Sequence, residues 1–327
     1  MTTIAVLDDW QGVARASADW SALAARADLT FFSAAFSRED AAAEQLADYD
    51  IVLSMRERTS LPASLIARLP RLRMLGITGA RNAALDVEAC TAHGVVVCNT
   101  SSNPDGASAP AELALGLLLS VARAIPAGDA ALRGGRFQAG VPVGIALAGK
   151  TLGIVGLGRL GSLMATYGRA LGMAVLGWSE NLTRAAAAAA GAELVGKDDL
   201  LTRSDAISLH LVLSPRTRHI IGAAEIARMK PGAILINTSR GPLVDEDALV
   251  AALQAGRIFA GLDVFDREPL RPADRMCGLP NTVLTPHLGY GVAETWRHFY
   301  TQSVENALAF LDGHPVRVLN PDVLGAA

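Results

Sequence analysis

Three stretches in the second half of the chain carry ionisable groups where apolar strands run out. They are INTSRGPLVDEDAL with Arg240, GLDVFDREP with Asp263 and Glu268, and TPHLGYG with His287. A guanidinium stays charged at any working pH and grips a carboxylate through two parallel hydrogen bonds. Beside a carbonyl it also stabilises negative charge developing on the oxygen. An imidazole titrates near neutrality, so it gives that oxygen a proton and takes one back in the reverse direction. A glutamate on the other ring nitrogen would favour the protonated ring and fix its tautomer. One arginine alone is more often a surface ion pair. Three such groups at strand ends of one domain form a constellation, since open α/β sheets bind ligands at that edge.

The run TLGIVGLGRLGSLMATYGRALG supplies the partner for this chemistry. A strand ends in Gly156-Leu157-Gly158-Arg159-Leu160-Gly161 and passes directly into a helix, where backbone amides can approach a pyrophosphate. A ligand-free glycine turn has the same pattern, but its place between strand and helix favours dinucleotide binding. The second strand of such a unit should end in an acid that holds the adenosine ribose. MAVLGWSEN puts Ser179 there with Glu180 next. Glu180 would bind ribose hydroxyls and repel a 2′-phosphate, whereas Ser179 and Arg184 would tolerate one. NAD is the expected cofactor, with NADP left open. Together these groups describe reversible hydride transfer between a nicotinamide and a 2-oxo acid.

These side chains need a scaffold, and 327 residues exceed one ordinary core. Short β-branched runs (IAVLDD, LTFF, IVLS, LRMLGIT, VVVCN) alternate with helical patterns, the mark of an α/β chain with parallel sheets. Helix ends are readable at Asp86 and Gly94, and at Asp245 and Gly256. The turn-forming segment 100–110 precedes an apolar helix and a second βα series from TLGIVG to TVLT. The expected architecture is two Rossmann-like, doubly wound domains. Residues 1–104 and 291–327 form a discontinuous, flavodoxin-like substrate domain around a nucleotide domain, 105–290, with the substrate between them and closure expelling water.

A net charge of −3 offers no basic surface for nucleic acid or an anionic membrane, so the expected partner is a small molecule. Cys90, Cys98 and Cys277 have neither disulfide nor zinc spacing, and a reducing cytoplasm fits. MTTIAVLDDW reads as a first strand and not a leader, and no apolar run approaches the roughly 20 residues a bilayer crossing needs.

The set GLGRLG, INTSRGPLVDEDAL, GLDVFDREP and TPHLGYG, in this order and spacing, resembles the D-isomer-specific 2-hydroxyacid dehydrogenases. That group includes D-3-phosphoglycerate dehydrogenase, D-lactate dehydrogenase and the glyoxylate or hydroxypyruvate reductases. The resemblance implies that Arg240 binds substrate, Glu268 supports the histidine and His287 is the acid/base. It places Asp263 at the nicotinamide amide, and Leu211, Thr217, Thr238, Ser239 and Gly289 along the cofactor. It also implies a homodimer joined through the nucleotide domains, with the helix after Pro110 as a candidate interface. The first domain matches less well. The family's G-x-G-x-D-N turn stands here as Gly79-Ala80-Arg81-Asn82-Ala83-Ala84, where amides at Gly79 and Ala80 would hold a carboxylate but Arg81 replaces the second glycine. In SMRERT, Arg56 matches a substrate contact of the phosphoglycerate enzymes, and a solvated loop is an equal reading. Two other readings of the same scaffold are a formate-dehydrogenase-like enzyme, against which Glu268 speaks, and an NAD(H)-binding regulatory protein. Formate dehydrogenases typically carry glutamine in place of the acid, and nucleotide-sensing corepressors keep the three residues. His93 and His210 read as structural, and Tyr290 and Trp296 as aromatic packing.

Overall fold

A computed structural model describes residues 1–36, 38–101, 103–271 and 273–325. It divides into two compact units, Met1–Ala107 with Val292–Ala327, and Ser108–Gly291.

The first unit is built on five parallel strands: β1 (Thr2–Val6), β2 (Ala27–Phe31), β3 (Ile51–Ser54), β4 (Met74–Ile77) and β5 (Val96–Asn99). Their order is β2-β1-β3-β4-β5, the flavodoxin-like winding. IVLS and MLGI are buried at every position, as central parallel strands covered on both faces must be. The helix Ala293–Leu311 packs on β4 and β5 and completes this core.

The second unit carries β6 (Thr151–Val155), β7 (Ala174–Trp178), β8 (Glu193–Leu194), β9 (Ala206–Leu209), β10 (Ile234–Asn237), β11 (Phe259–Leu262) and β12 (Thr282–Leu284). They pair in parallel in the order β12-β11-β10-β9-β6-β7-β8, a Rossmann sheet whose winding reverses between β6 and β9. This order sets β10, β11 and β12 side by side, so the loops leaving their carboxyl ends are neighbours. The helix Ala109–Ala122 belongs to this unit and packs on β10 and β11 through Ala114, Leu117 and Leu118. One face of the helix expected as an interface is therefore core. A run of exposed apolar side chains follows it, at Ile125, Leu132, Phe137 and Val143. Among the described residues, no single helix is long and apolar enough to cross a membrane. Cap positions are where the sequence puts them. Asp86 accepts from the Ala89 amide at 2.9 Å and Asp245 from the Ala248 amide at 3.1 Å.

Two desolvated groups give the units opposite responses to pH. His210, just past β9, shares a 2.8 Å hydrogen bond between its Nε2 and Ser208 Oγ, and desolvation pulls its pKa from 6.5 to about 4. The unfolded ring protonates first, so stability is complete above the unfolded pKa and falls as the pH drops toward 4. Asp8, fully buried just past β1, is pushed up by burial from 3.8 to about 6, against the pull of the Thr59 hydroxyl and Arg58. Its unfolded carboxyl ionises first, so stability falls as the pH rises from 3.8 to 6. Each window is worth up to about 3 kcal/mol. Urea unfolding at pH 4.5 and pH 7 should show His210→Gln losing less stability than wild type on acidification, and Asp8→Asn gaining relative to wild type at pH 7. Parallel curves for all three proteins would refute both assignments.

Candidate active site

The glycine turn follows β6. Gly156 has φ +98°, and a Cβ there would lie 2.7 Å from the His210 carbonyl oxygen and 2.9 Å from Leu211 Cδ2, so only glycine fits. Gly158 caps the helix Arg159–Ala170, and nothing lies within 4 Å of where its Cβ would point. The turn is thus packed against β9 on one side and open at the helix N-terminus, where first-turn amides lack intrahelical acceptors. That is a cradle fitted to a pyrophosphate. Leu160 and Gly161 lie in the first turn of this helix. Past β7, Ser179 is half-buried, and Glu180 and Arg184 are exposed.

Other residues assigned to the cofactor have visible local work. Leu211 packs against the core of this unit. Thr217 Oγ1 accepts from the Ser214 amide at 2.8 Å and donates to the Val212 carbonyl at 2.7 Å, closing its own turn. Ser239 Oγ donates to the Leu209 carbonyl at 2.7 Å, tying the end of β10 to that of β9, while Thr238 beside it is half-buried.

Further along the same edge of the sheet, past β11 and β12, the structure brings Glu268 and His287 together. His287 Nδ1 lies 2.6 Å from Glu268 Oε2. The other carboxylate oxygen, Oε1, accepts from the Phe265 amide at 2.9 Å, so the glutamate is anchored from behind. A carboxylate on Nδ1 directs that ring proton to itself and leaves Nε2 as the exchanging atom. His287 holds the left-handed backbone conformation, φ 54°, which is costly for a histidine and persists only where the surroundings impose it.

Asp263 imposes it. The residue is fully buried at the end of β11, and its carbonyl accepts the His287 amide at 2.9 Å. Its Oδ1 accepts from Thr285 Oγ1 at 2.6 Å and from the Leu288 amide at 2.7 Å, and its Oδ2 from the Gly289 amide at 2.8 Å. Burial pushes the Asp263 carboxyl up, opposed by these donors and by the neighbouring His287. Gly289, assigned to the cofactor, is thus also part of the knot that shapes the histidine loop.

Arg240 stands three residues past β10. Asn237, 1 % exposed, donates through Nδ2 to the Arg240 carbonyl at 2.9 Å and accepts the Ser239 amide at 3.0 Å. The guanidinium donates to the Ser239 carbonyl at 2.8 Å. Next to it, Gly241 lies so close to the Phe265 carbonyl and the Asp266 amide that no Cβ could be added without displacing backbone. The arginine turn therefore rests on the segment that leads to Glu268. Asn237, Phe265 and Thr285 were missed by sequence reasoning. Asn237 and Thr285 are visible only as polar residues closing apolar strands, and Phe265 acts through its backbone, which leaves no sequence trace.

Of the substrate residues assigned to the first unit, Gly79 and Arg56 have hydrogen-bond partners within the protein. The Gly79 amide donates to Thr100 Oγ1 at 2.8 Å, so its proton already has an acceptor. Ala80 and Arg81 are exposed. Arg56, with φ 53°, donates from Nη1 to the Thr78 carbonyl at 3.2 Å and lies 3.6 Å from Glu57. Among the described residues, no cluster of three metal-ligating side chains occurs. Cys90, Cys98 and Cys277 are free.

Known proteins resemble this chain in sequence and in fold. The sequence model of the D-isomer specific 2-hydroxyacid dehydrogenase NAD binding domain matches residues 115–289. The chain is 39% identical over 269 residues to a glyoxylate reductase of Thermococcus litoralis, covering 80% of each protein. It is 40% identical over 274 residues to a D-3-phosphoglycerate dehydrogenase of Methanocaldococcus jannaschii, where it spans 83% of this chain but 51% of that longer one. The crystal structure of a phosphoglycerate oxidoreductase from Vibrio cholerae O395 superposes with a TM-score of 0.90 at 34% identity, covering 96% of this chain and 100% of that one. Likeness that extends along most of the chain, and is not confined to one motif, makes this protein a member of the D-isomer-specific 2-hydroxyacid dehydrogenase family.

Proposed function

We propose that the protein interconverts a 2-oxo acid and the corresponding D-2-hydroxy acid, using NAD(H). The observation that carries this reading is the 2.6 Å His287–Glu268 pair, on a loop next to the arginine turn and on the same sheet edge as the glycine cradle. When bound, NADH supplies the hydride that reduces the substrate carbonyl carbon. Arg240 holds the substrate carboxylate and polarises the carbonyl, and His287 Nε2 delivers the proton that the new alkoxide takes up. Glu268 keeps Nδ1 protonated and balances the charge that the ring carries before it gives up its proton. In the oxidative direction the same ring accepts the hydroxyl proton. We assign the Ala80 amide and Arg56 to further substrate contacts. The exposed Glu180 after β7 supports NADH over NADPH, since its charge repels a 2′-phosphate. The exposed Ile125, Leu132, Phe137 and Val143 support a homodimer joined through this unit.

The test is turnover of glyoxylate, hydroxypyruvate, pyruvate and bulkier 2-oxo acids with each reduced cofactor. At least one acid should be reduced, with kcat/KM about tenfold or more higher for NADH, the order expected from one misplaced like charge. Tight NADH binding with no turnover of any acid would point instead to a regulatory protein.

A further inference from the structure

Glu268 alone does not determine the plane of the His287 ring. The bond from Cβ to an imidazole rotates in a broad, shallow well, and a single hydrogen bond at Nδ1 still lets the ring tilt about the line joining it to Glu268. Something else must define where Nε2 points. The ring of Tyr290, three residues on, meets the His287 ring at a centroid distance of 5.6 Å and an interplanar angle of 76°, an edge-to-face contact. Tyr290 is itself held on both sides. The Gly289 amide is bonded to Asp263 Oδ2 at 2.8 Å, and the Gly291 amide donates to the Leu288 carbonyl at 2.8 Å, closing a turn around residues 288–291. The backbone that carries the tyrosine is thus held in place beside the histidine.

We propose that Tyr290 is a positioning residue, whose ring sets the plane of the His287 imidazole so that Nε2 faces one point throughout the proton transfer. The inference rests on His287 being the acid/base, and it concerns the aromatic face and not the phenol hydroxyl. Tyr290→Phe keeps the face. Tyr290→Leu removes it and keeps an apolar, smaller side chain.

The experiment measures steady-state reduction of the best 2-oxo acid by both variants, together with ¹⁵N spectra of the His287 ring. Tyr290→Phe should keep kcat within about twofold of wild type. Tyr290→Leu should lose about tenfold in kcat, with KM for NADH unchanged, because the loss concerns alignment at the reacting centre. Its His287 nitrogens should show the averaged, broadened signals of a mobile ring. Equal losses in both variants would assign the effect to the hydroxyl and overturn the proposal. So would a raised KM for the 2-oxo acid at unchanged kcat, the mark of a simple pocket wall, or an unaltered Tyr290→Leu enzyme. Should Tyr290→Leu fail to fold, Tyr290→Met makes the same comparison. His287→Ala, run alongside, separates the two ideas. Full turnover in that variant would remove the acid/base reading itself, whereas its loss together with an unaffected Tyr290→Leu enzyme would remove only the role of the tyrosine.

Discussion

His287→Ala should lower kcat for 2-oxo acid reduction by about a thousandfold, within the range that a positioned general acid contributes. The reason lies in the loop that carries the residue. Its left-handed backbone is held by Asp263 and its Nδ1 by Glu268 at 2.6 Å, so one nitrogen is left for exchange with substrate. A solvent proton donor has no such placement. Alanine tolerates the same backbone less well than glycine, so His287→Gly serves as a second variant if the loop shifts. NADH affinity, read by quenching of nucleotide fluorescence, should stay within about twofold, because the glycine cradle is built from β6 and its helix, and the Gly289 amide stays bonded to Asp263 without the imidazole. A variant that reduced 2-oxo acids at the wild-type rate would refute the assignment.

Arg240→Lys should reduce kcat/KM by about a hundredfold or more and, unlike the histidine change, should raise KM for the acid as it lowers kcat. Lysine keeps the positive charge but loses the planar fork that grips a carboxylate by two bonds. The turn leaves little room for compensation. Asn237 ties down the Arg240 carbonyl, and Gly241 lies directly on the backbone of Phe265 and Asp266. The lysine ammonium therefore cannot be carried forward by a shift of the loop. Partial recovery of Arg240→Ala by added guanidinium ion would show that the missing group is the fork. A lysine variant with wild-type kcat/KM would exclude the role.

Much of this could be read along the chain because it is local. A strand running into glycines and then a helix, an aspartate before EDALVAALQ, and buried runs such as IVLS and ILIN each depend on neighbours within a few residues. Other features could not be read, because they depend on partners far along the chain. The strand β8, Glu193–Leu194, has two residues and exists through pairing with β7, so no periodicity announces it. The Gly79 amide donates to Thr100, 21 residues on, a partner that no local pattern indicates. The helix after Pro110 is apolar enough for a core face or an interface face, and only the tertiary structure shows that Ala114, Leu117 and Leu118 are the side chains that pack inward.

The sequence by itself determined the kinds of chemical groups present, their order, and the local turns and caps that carry them, since these follow from residue type and short spacing. Whether Arg240, Glu268 and His287 lie near one another was decided only by the tertiary structure. Strand order is set by hydrogen bonding between segments tens of residues apart. Because β10, β11 and β12 pair as parallel neighbours, their carboxyl ends open on one edge and deliver the three loops together.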